Sequence, residues 1–299
     1  MSNSETLSGN DAVVLSPEET DILLARVNQQ LAANGFDSSD LTLIKQMVEC
    51  LGDTRGMVRL GFAEALGQVG KPAVPFLLTA LANHPNPVVR RAAAKTLTLI
   101  ADPEAVPILI KALLEDEDTV VKGSAIGALA GTGAASVPPL LEILASPDSP
   151  ESTKGHAAWA LAFIGPAAKE ILYREIHSDS PEVRMAVVGA IAKMAEEQPD
   201  SEASEMLFQA LEDVDSEVRC EAIAALGNIS YAPAIPRLME LLQHPDGESR
   251  KGVAMALMKM GDEVKDQGAM ELLNTALIQE TDPTVQRAMQ LAISHLRRD

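Results

Sequence analysis

The chain has 299 residues, 46% hydrophobic but only 3% aromatic, and a formal net charge of −19. Charge of that sign repels phosphate backbones and anionic lipid, so nucleic acid and membrane surfaces are poor partners. The two cysteines, Cys50 and Cys220, lie far apart, which excludes a disulfide framework or a zinc pattern and points to a reducing cytoplasm.

In chain order, residues 1–16 are polar, acidic and without period, which predicts a disordered tail. Met1 to Leu15 lacks the basic start and apolar stretch of a signal peptide, and no apolar run in the chain is long enough for a transmembrane segment. Residues 17–40 predict a capping helix, opened by Ser16-Pro17-Glu18-Glu19 and closed near Asn34-Gly35.

From residue 41 to 299 one phrase recurs: a short polar residue, Val-Arg, a helix of small aliphatics, then Val-Pro opening a second helix. Aligned on its basic residue, the column reads Arg59, Arg90, Lys122, Lys154, Arg184, Arg219, Arg250, Gln286, with members 30 to 36 residues apart. The helix carrying that residue places Val89, Ala93, Leu97 and Ile100 on one stripe, as an amphipathic helix does. Asn86, Asp118, Asp179, Asp215, Asp246 and Asp282 precede it as N-caps, and prolines fall in first turns. The stretch from Glu196 to Glu205 reads as an acidic loop. A pair this short cannot bury its own stripe, so the expected fold is all-α, an α-solenoid superhelix of about eight stacked helix pairs.

The seven basic residues predict a structural ladder, each pairing with the Asp that caps the next unit. Function is then sought where the repeat deviates. Two columns on the outer side of these helices, expected on the concave face, are charged in flanking units and small or apolar centrally: Gly123, Gly127, Gly155, Trp159, Met185, Gly189, Cys220 and Met255. Trp159, between Gly127 and Gly189, with His156 beside it, fits either a shallow binding groove for a ligand or partner, or close helix packing. No Gly-rich phosphate loop, nucleophile elbow or Cys-x-x-Cys occurs, so no catalytic residue and no metal ligand is assigned. None of the five histidines is followed by Glu, the dipeptide with which the HEAT-repeat iron hydroxylases bind metal.

The short unit with Val-Arg-x-x-Ala-x-x-Ala-Leu resembles the HEAT-like repeats of the phycobilin lyase E/F family, and Lys154-Gly155-His156-Ala157-Ala158-Trp159-Ala160-Leu161 resembles the Ala-Ala-Trp core of its E subunits. The segment Lys154 to Gly165 is also similar to lyase-related cyanobacterial HEAT proteins that partner an iron–sulfur carrier. That second resemblance implies a non-enzymatic partner of iron–sulfur assembly. The repeat and the missing catalytic set give the expectation of a non-catalytic, cytoplasmic protein-binding scaffold without a cofactor, whose concave face holds an iron–sulfur assembly factor or a phycobiliprotein subunit. The first implies the alternative, a phycobilin lyase or bilin chaperone holding phycocyanobilin, with His156 protonating the bilin and Lys154 pairing with a propionate. The scaffold is the expectation carried forward.

Overall fold

The computed structural model describes residues 15–265 and 267–297, and their regular structure is helical, with no strand. The tail expected over residues 1–16 falls, up to residue 14, outside the described residues. The chain divides into two compact units, Met1–Ser136 and Val137–Asp299.

The first unit opens with α1 (Pro17–Ala32), where Ser16 and Glu19 form a reciprocal capping box. Three pairs follow: α2 (Leu41–Glu49) with α3 (Gly56–Val69), α4 (Val74–Asn83) with α5 (Pro87–Ile100), and α6 (Val106–Glu115) with α7 (Thr119–Gly131). The second unit holds α8 (Val137–Ala145) with α9 (Glu151–Ile164), α10 (Lys169–Glu175) with α11 (Pro181–Glu197), α12 (Ser201–Gln209) with α13 (Ser216–Asn228), and α14 (Ile235–Leu241) with α15 (Gly247–Met260). Its last pair is a short α16 (Asp262–Lys265) and α17 (Ala269–Gln279) against α18 (Pro283–Leu296).

Within each unit the second helices of successive pairs pack side by side: α3 on α5 and α5 on α7 in the first, α9 through α11, α13 and α15 to α18 in the second. Each contributes a buried stripe of small aliphatics, such as Val89, Ala93 and Leu97 on α5 or Val218, Ala222 and Leu226 on α13. Such a stripe is covered only when neighbours stack on it, so each unit is an α-solenoid segment. Asn86, Asp118, Asp215, Asp246 and Asp282 cap these helices through their side chains. On α11 the cap is Ser180 rather than the expected Asp179, because Pro181 takes the first helical position and fixes the residue before it as the cap. Gly70 ends α3 at φ +72°, a conformation that glycine adopts without the cost a Cβ would bring.

The segment from Glu196 to Glu205 is a loop only over residues 198–200. Helix α11 runs on to Glu197 and α12 starts at Ser201, its end capped by Asp200 accepting the Glu202 N–H at 2.9 Å. Ala, Met and Glu are strong helix formers, and they extend the helices into the acidic stretch.

The basic column makes two kinds of contact. First, it ties down the turn before its own helix: Arg59, Arg90, Arg184, Arg219 and Arg250 each donate an Nη1 bond to the carbonyl six residues back, at 2.5 to 3.0 Å. Gln286 keeps that contact through Nε2 to the Glu280 carbonyl at 2.7 Å, and Lys122 reaches the Leu114 carbonyl at 3.0 Å. Second, several members cross to the next pair: Arg90 to Asp116, Arg184 to Asp213, Arg250 to Glu280 and Lys154 to Glu182. The expected partner, the capping Asp, is used only by Arg219, which meets Asp246 at 3.4 Å. For Arg90, Arg184 and Arg250 the carboxylate lies two residues before the cap and accepts the cap's own backbone N–H, as Asp116 does from Asp118, Asp213 from Asp215 and Glu280 from Asp282, whereas Glu182, the partner of Lys154, lies two residues after the Ser180 cap. The capping oxygens already accept helix N–H bonds, and Asp118 is also held by Arg91, the neighbour of the column residue Arg90, so Arg90 uses the earlier acid. Arg59 and Lys122 cross to no carboxylate among the described residues.

Candidate functional site

Among the hollows that open on the described surface are the following three. One in the first unit encloses about 470 Å³, and Glu49, Cys50, Asp53, Arg55 and His84 line part of it. Its polar groups satisfy one another: His84 Nε2 lies 3.4 Å from Glu49, and Arg55 grips Asp53 at 2.8 Å. Burial, with Asp53 and Glu49 adding to it, pushes the Cys50 thiol up to about 11, so it stays protonated and unreactive at neutral pH. A small hollow of about 160 Å³ lies beside His177 and Met206.

The third is built on the deviating columns. It spans α9, α11 and α13 in the second unit, encloses about 380 Å³ and includes Met185, Gly189, Lys193, Glu196, Glu221 and Asn228 in its lining. The rest of that lining is alanine, from Ala158 and Ala162 on α9 to Ala224 and Ala225 on α13. Side chains that stop at Cβ leave a smooth apolar floor. Glycine at 189 has a direct role, since a Cβ there would lie 3.2 Å from Glu221 Oε1. The carboxylate of Glu221 therefore occupies the space over Gly189. Among the described residues it has neither a hydrogen bond nor an ion pair, and burial, helped by Glu196, pushes its carboxyl above the ordinary glutamate value.

The rim is polar and linked. Lys193 pairs with Glu197 at 3.2 Å, and Asn228 donates to Glu196 at 3.2 Å while accepting from Lys259 at 2.5 Å. On α9, Trp159 takes the register that Gly189 holds on α11 and Ala224 on α13. It is 47% exposed and stacks on Phe163, also exposed, with ring centroids 4.2 Å apart. Two exposed aromatics one helical turn apart form a flat apolar platform.

Of the residues named from sequence, the hollow gathers Met185 and Gly189. Gly155 and His156 are exposed on α9 and Met255 is half-buried on α15. Cys220 is half-buried, its thiol raised by burial and by Asp246. Gly123 and Gly127 lie on α7 of the first unit, where a Cβ would meet no heavy atom of that unit within 4 Å, so helix packing within it does not require them. The glycines that permit close packing are others: at Gly227 a Cβ would sit 2.8 Å from the Ala256 backbone. Lys154 is buried and bonded to Glu182 at 3.2 Å, as a member of the basic column. Sequence reasoning missed Phe163, Lys193 and Glu221. The spacing of Trp159 and Phe163, four residues apart, was visible, and so was Glu221 as the one carboxylate in a column of otherwise small residues and His156. Among the described residues no group of three His, Cys, Asp or Glu side chains is placed to hold a metal, and no helix is long and apolar enough to cross a membrane.

Comparison with known proteins places this geometry. The profile of HEAT repeats matches residues 44–130, 137–203 and 204–294. The chain is similar to the bilin biosynthesis protein MpeU of Synechococcus sp. (strain WH8020), with 38% identity over 283 residues, 94% of each chain. Among solved structures it is similar to the karyopherin Kap121p bound to Pho4p, with TM-score 0.58 and 14% identity over 96% of this chain and 38% of the karyopherin. The same karyopherin bound to the extreme C-terminus of Cdc14p gives TM-score 0.57 at 13% identity, again over 96% and 38%; both likenesses concern the fold alone. The repeats, their helix pairs and the near full-length identity place the chain in the HEAT-repeat proteins and, within them, in the HEAT-like phycobilin lyase family.

Proposed function

We propose that this protein handles an open-chain tetrapyrrole for a phycobiliprotein subunit, as a bilin lyase or bilin chaperone. The observation that carries the reading is the 38% identity to a bilin biosynthesis protein across 94% of both chains. The alanine-floored hollow and the Trp159–Phe163 platform support it, because they offer flat apolar surface for a conjugated ring system. Attachment of a bilin is an addition: the acceptor's cysteine S–H adds across a carbon–carbon double bond of the bilin, sulfur to one carbon and the proton to the other, and nothing leaves. The acceptor supplies the nucleophile and the bilin the electrophile. What remains for this protein is to bind, orient and shield the bilin while a face of stacked helices meets the subunit. This reading replaces the bare scaffold as the leading one and keeps its binding face.

The test mixes the purified protein with phycocyanobilin, with and without apo-phycobiliprotein subunits. The reading expects a shifted visible absorbance band with the protein alone. With subunits it expects faster or more selective formation of a covalently coloured subunit, seen by zinc-enhanced fluorescence after denaturing electrophoresis. An unshifted spectrum with no effect on adduct formation defeats it, and subunit binding without either effect would return the scaffold.

A further inference from the structure

We propose that Glu221 is the group that recognises the tetrapyrrole, its carboxylate accepting the inward-facing pyrrole N–H donors above Gly189; this assignment rests on the reading of the protein as a bilin handler. Several part-buried carboxylates have cationic partners: Asp116, Asp213, Glu280 and Glu182 each hold a rung of the ladder, and Asp215 caps its helix through N–H groups. Glu221 holds no rung, and it is not spent on structure. It lies over the one glycine of the hollow, 3.2 Å from where any other residue would carry a Cβ. A part-buried carboxylate with no protein donor is costly to keep, and burial and Glu196 push its carboxyl upward. The occupant that relieves the cost supplies N–H donors and apolar surface together.

An open-chain tetrapyrrole has that chemistry. Its ring nitrogens turn their N–H groups toward one side of the curved chain, its ring faces are apolar, and its two propionates leave from the opposite edge. Donors over Glu221 would set ring faces against Ala186 and Ala224 and toward the register of Trp159. A propionate would then point to the rim, where Lys193 carries its charge. An anionic guest that lacked N–H groups would be repelled by Glu221 and Glu196. Hydrogen bonds to an ionised carboxylate are about twice as strong as neutral ones, so the contact can set both affinity and the protonation of the chromophore.

The experiment titrates phycocyanobilin, and separately biliverdin dimethyl ester, into the full-length protein and into its Glu221→Gln and Gly189→Ala variants, reading the visible band. Gln is isosteric and neutral, and the thermal melt of each variant shows that it is folded. For Glu221→Gln the expected result is at least tenfold weaker binding of both chromophores and a smaller red shift. The dimethyl ester keeps the N–H groups and loses the propionate charge, so persistence of the effect with it identifies the N–H contact. Gly189→Ala, which displaces the carboxylate, should weaken binding in the same direction. Wild-type binding retained in Glu221→Gln overturns the assignment and leaves the bilin reading standing. Binding of apo-subunit lost in place of bilin binding also overturns it, showing that the hollow takes a basic side chain of the partner. Absence of any bilin binding by the wild-type protein removes the assignment together with the reading it rests on.

Discussion

Arg250 on α15 reaches the turn between α17 and α18 and grips Glu280 with two parallel bonds, Nε to Oε2 at 2.7 Å and Nη2 to Oε1 at 2.9 Å. The same guanidinium holds the carbonyl of His244 at 2.7 Å, so one side chain fastens the turn before its own helix and the pair after it. Fork-shaped geometry of this kind is available to Arg and not to Lys. The Glu280 side chain is 3% exposed and that of Arg250 17%, so both lose much when the partner is removed.

Acid should therefore loosen the second unit through this rung. The bonds from Arg250 hold the Glu280 carboxyl at about 2, against an ordinary value of 4.5. A carboxylate lowered on folding stabilises the fold fully above the unfolded value, and that stability drains away as pH falls from about 4.5 toward 2. Glu280→Gln should cost roughly 3 kcal/mol at pH 7, because it leaves a half-sunk guanidinium without its counter-charge. The deficit against wild type should shrink steadily below pH 4.5. Denaturant melts at pH 7, 4 and 2.5 check this, and a deficit independent of pH would deny the rung its electrostatic role.

Two glycine substitutions should move stability in opposite directions. On α13, Gly227 lies where a Cβ would come 2.8 Å from Ala256 Cα, so the helices touch backbone to backbone. Gly227→Ala should cost about 1–3 kcal/mol through overpacking. On α9, a Cβ at Gly155 meets no heavy atom of its unit within 4 Å. Gly155→Ala should gain about 0.5–1 kcal/mol from helix propensity. Thermal melts of the two variants decide it, and equal signs would show that close approach is not what places glycine at 227.

Much of the fold could be read from the chain because its cause is local. The stripe Val89, Ala93, Leu97 follows the helical period, and those three are buried. The basic column was equally plain, but its partners were not. Asp213 and Asp215 are alike in sequence, and only the folded turn shows that Asp215 spends its oxygen on helix N–H groups while Asp213 faces Arg184. Charge density between Glu196 and Glu205 suggested a loop, whereas the propensities of the same residues extend two helices. At the candidate site, Trp159 and the glycines stood out as deviations. Glu221 was equally visible as an odd residue, but that it is part-buried without a protein partner depends on how α11 and α13 stack.

Glu221→Gln should also raise stability at neutral pH. Its carboxyl is pushed up by burial and by Glu196, so the folded state penalises the charge. For an acid raised on folding, stability is greatest where the group is protonated and falls as pH rises past the unfolded value. Removing the charge should therefore stabilise the protein at pH 7 to 8 and make little difference near pH 4. Melts across that range check the sign, and destabilisation at pH 7 would show that Glu221 is satisfied within the fold. A residue whose neutral isostere is more stable is one the fold keeps at a cost, as functional groups commonly are.

Trp159 should matter more to the ligand than to the fold. Its ring is 47% exposed and its closest aromatic partner is Phe163, 4.2 Å away on the same helix. Replacing it with Ala forfeits the stack and the burial of a side chain that is already about half exposed, an expected cost of about 1 kcal/mol. Trp159→Phe keeps a flat ring on Phe163 and should cost less. If the platform carries one face of a bound tetrapyrrole, Trp159→Ala should weaken phycocyanobilin binding roughly 3- to 10-fold, the worth of one aromatic contact, while Trp159→Phe stays within about threefold of wild type. Absorbance titration is the suitable measurement, since it does not depend on the indole. Equal affinity in wild type and Trp159→Ala would detach the aromatic pair from the hollow beside Gly189, and the pair would then be left to contact the acceptor subunit, to be read as weaker subunit binding in the same variant.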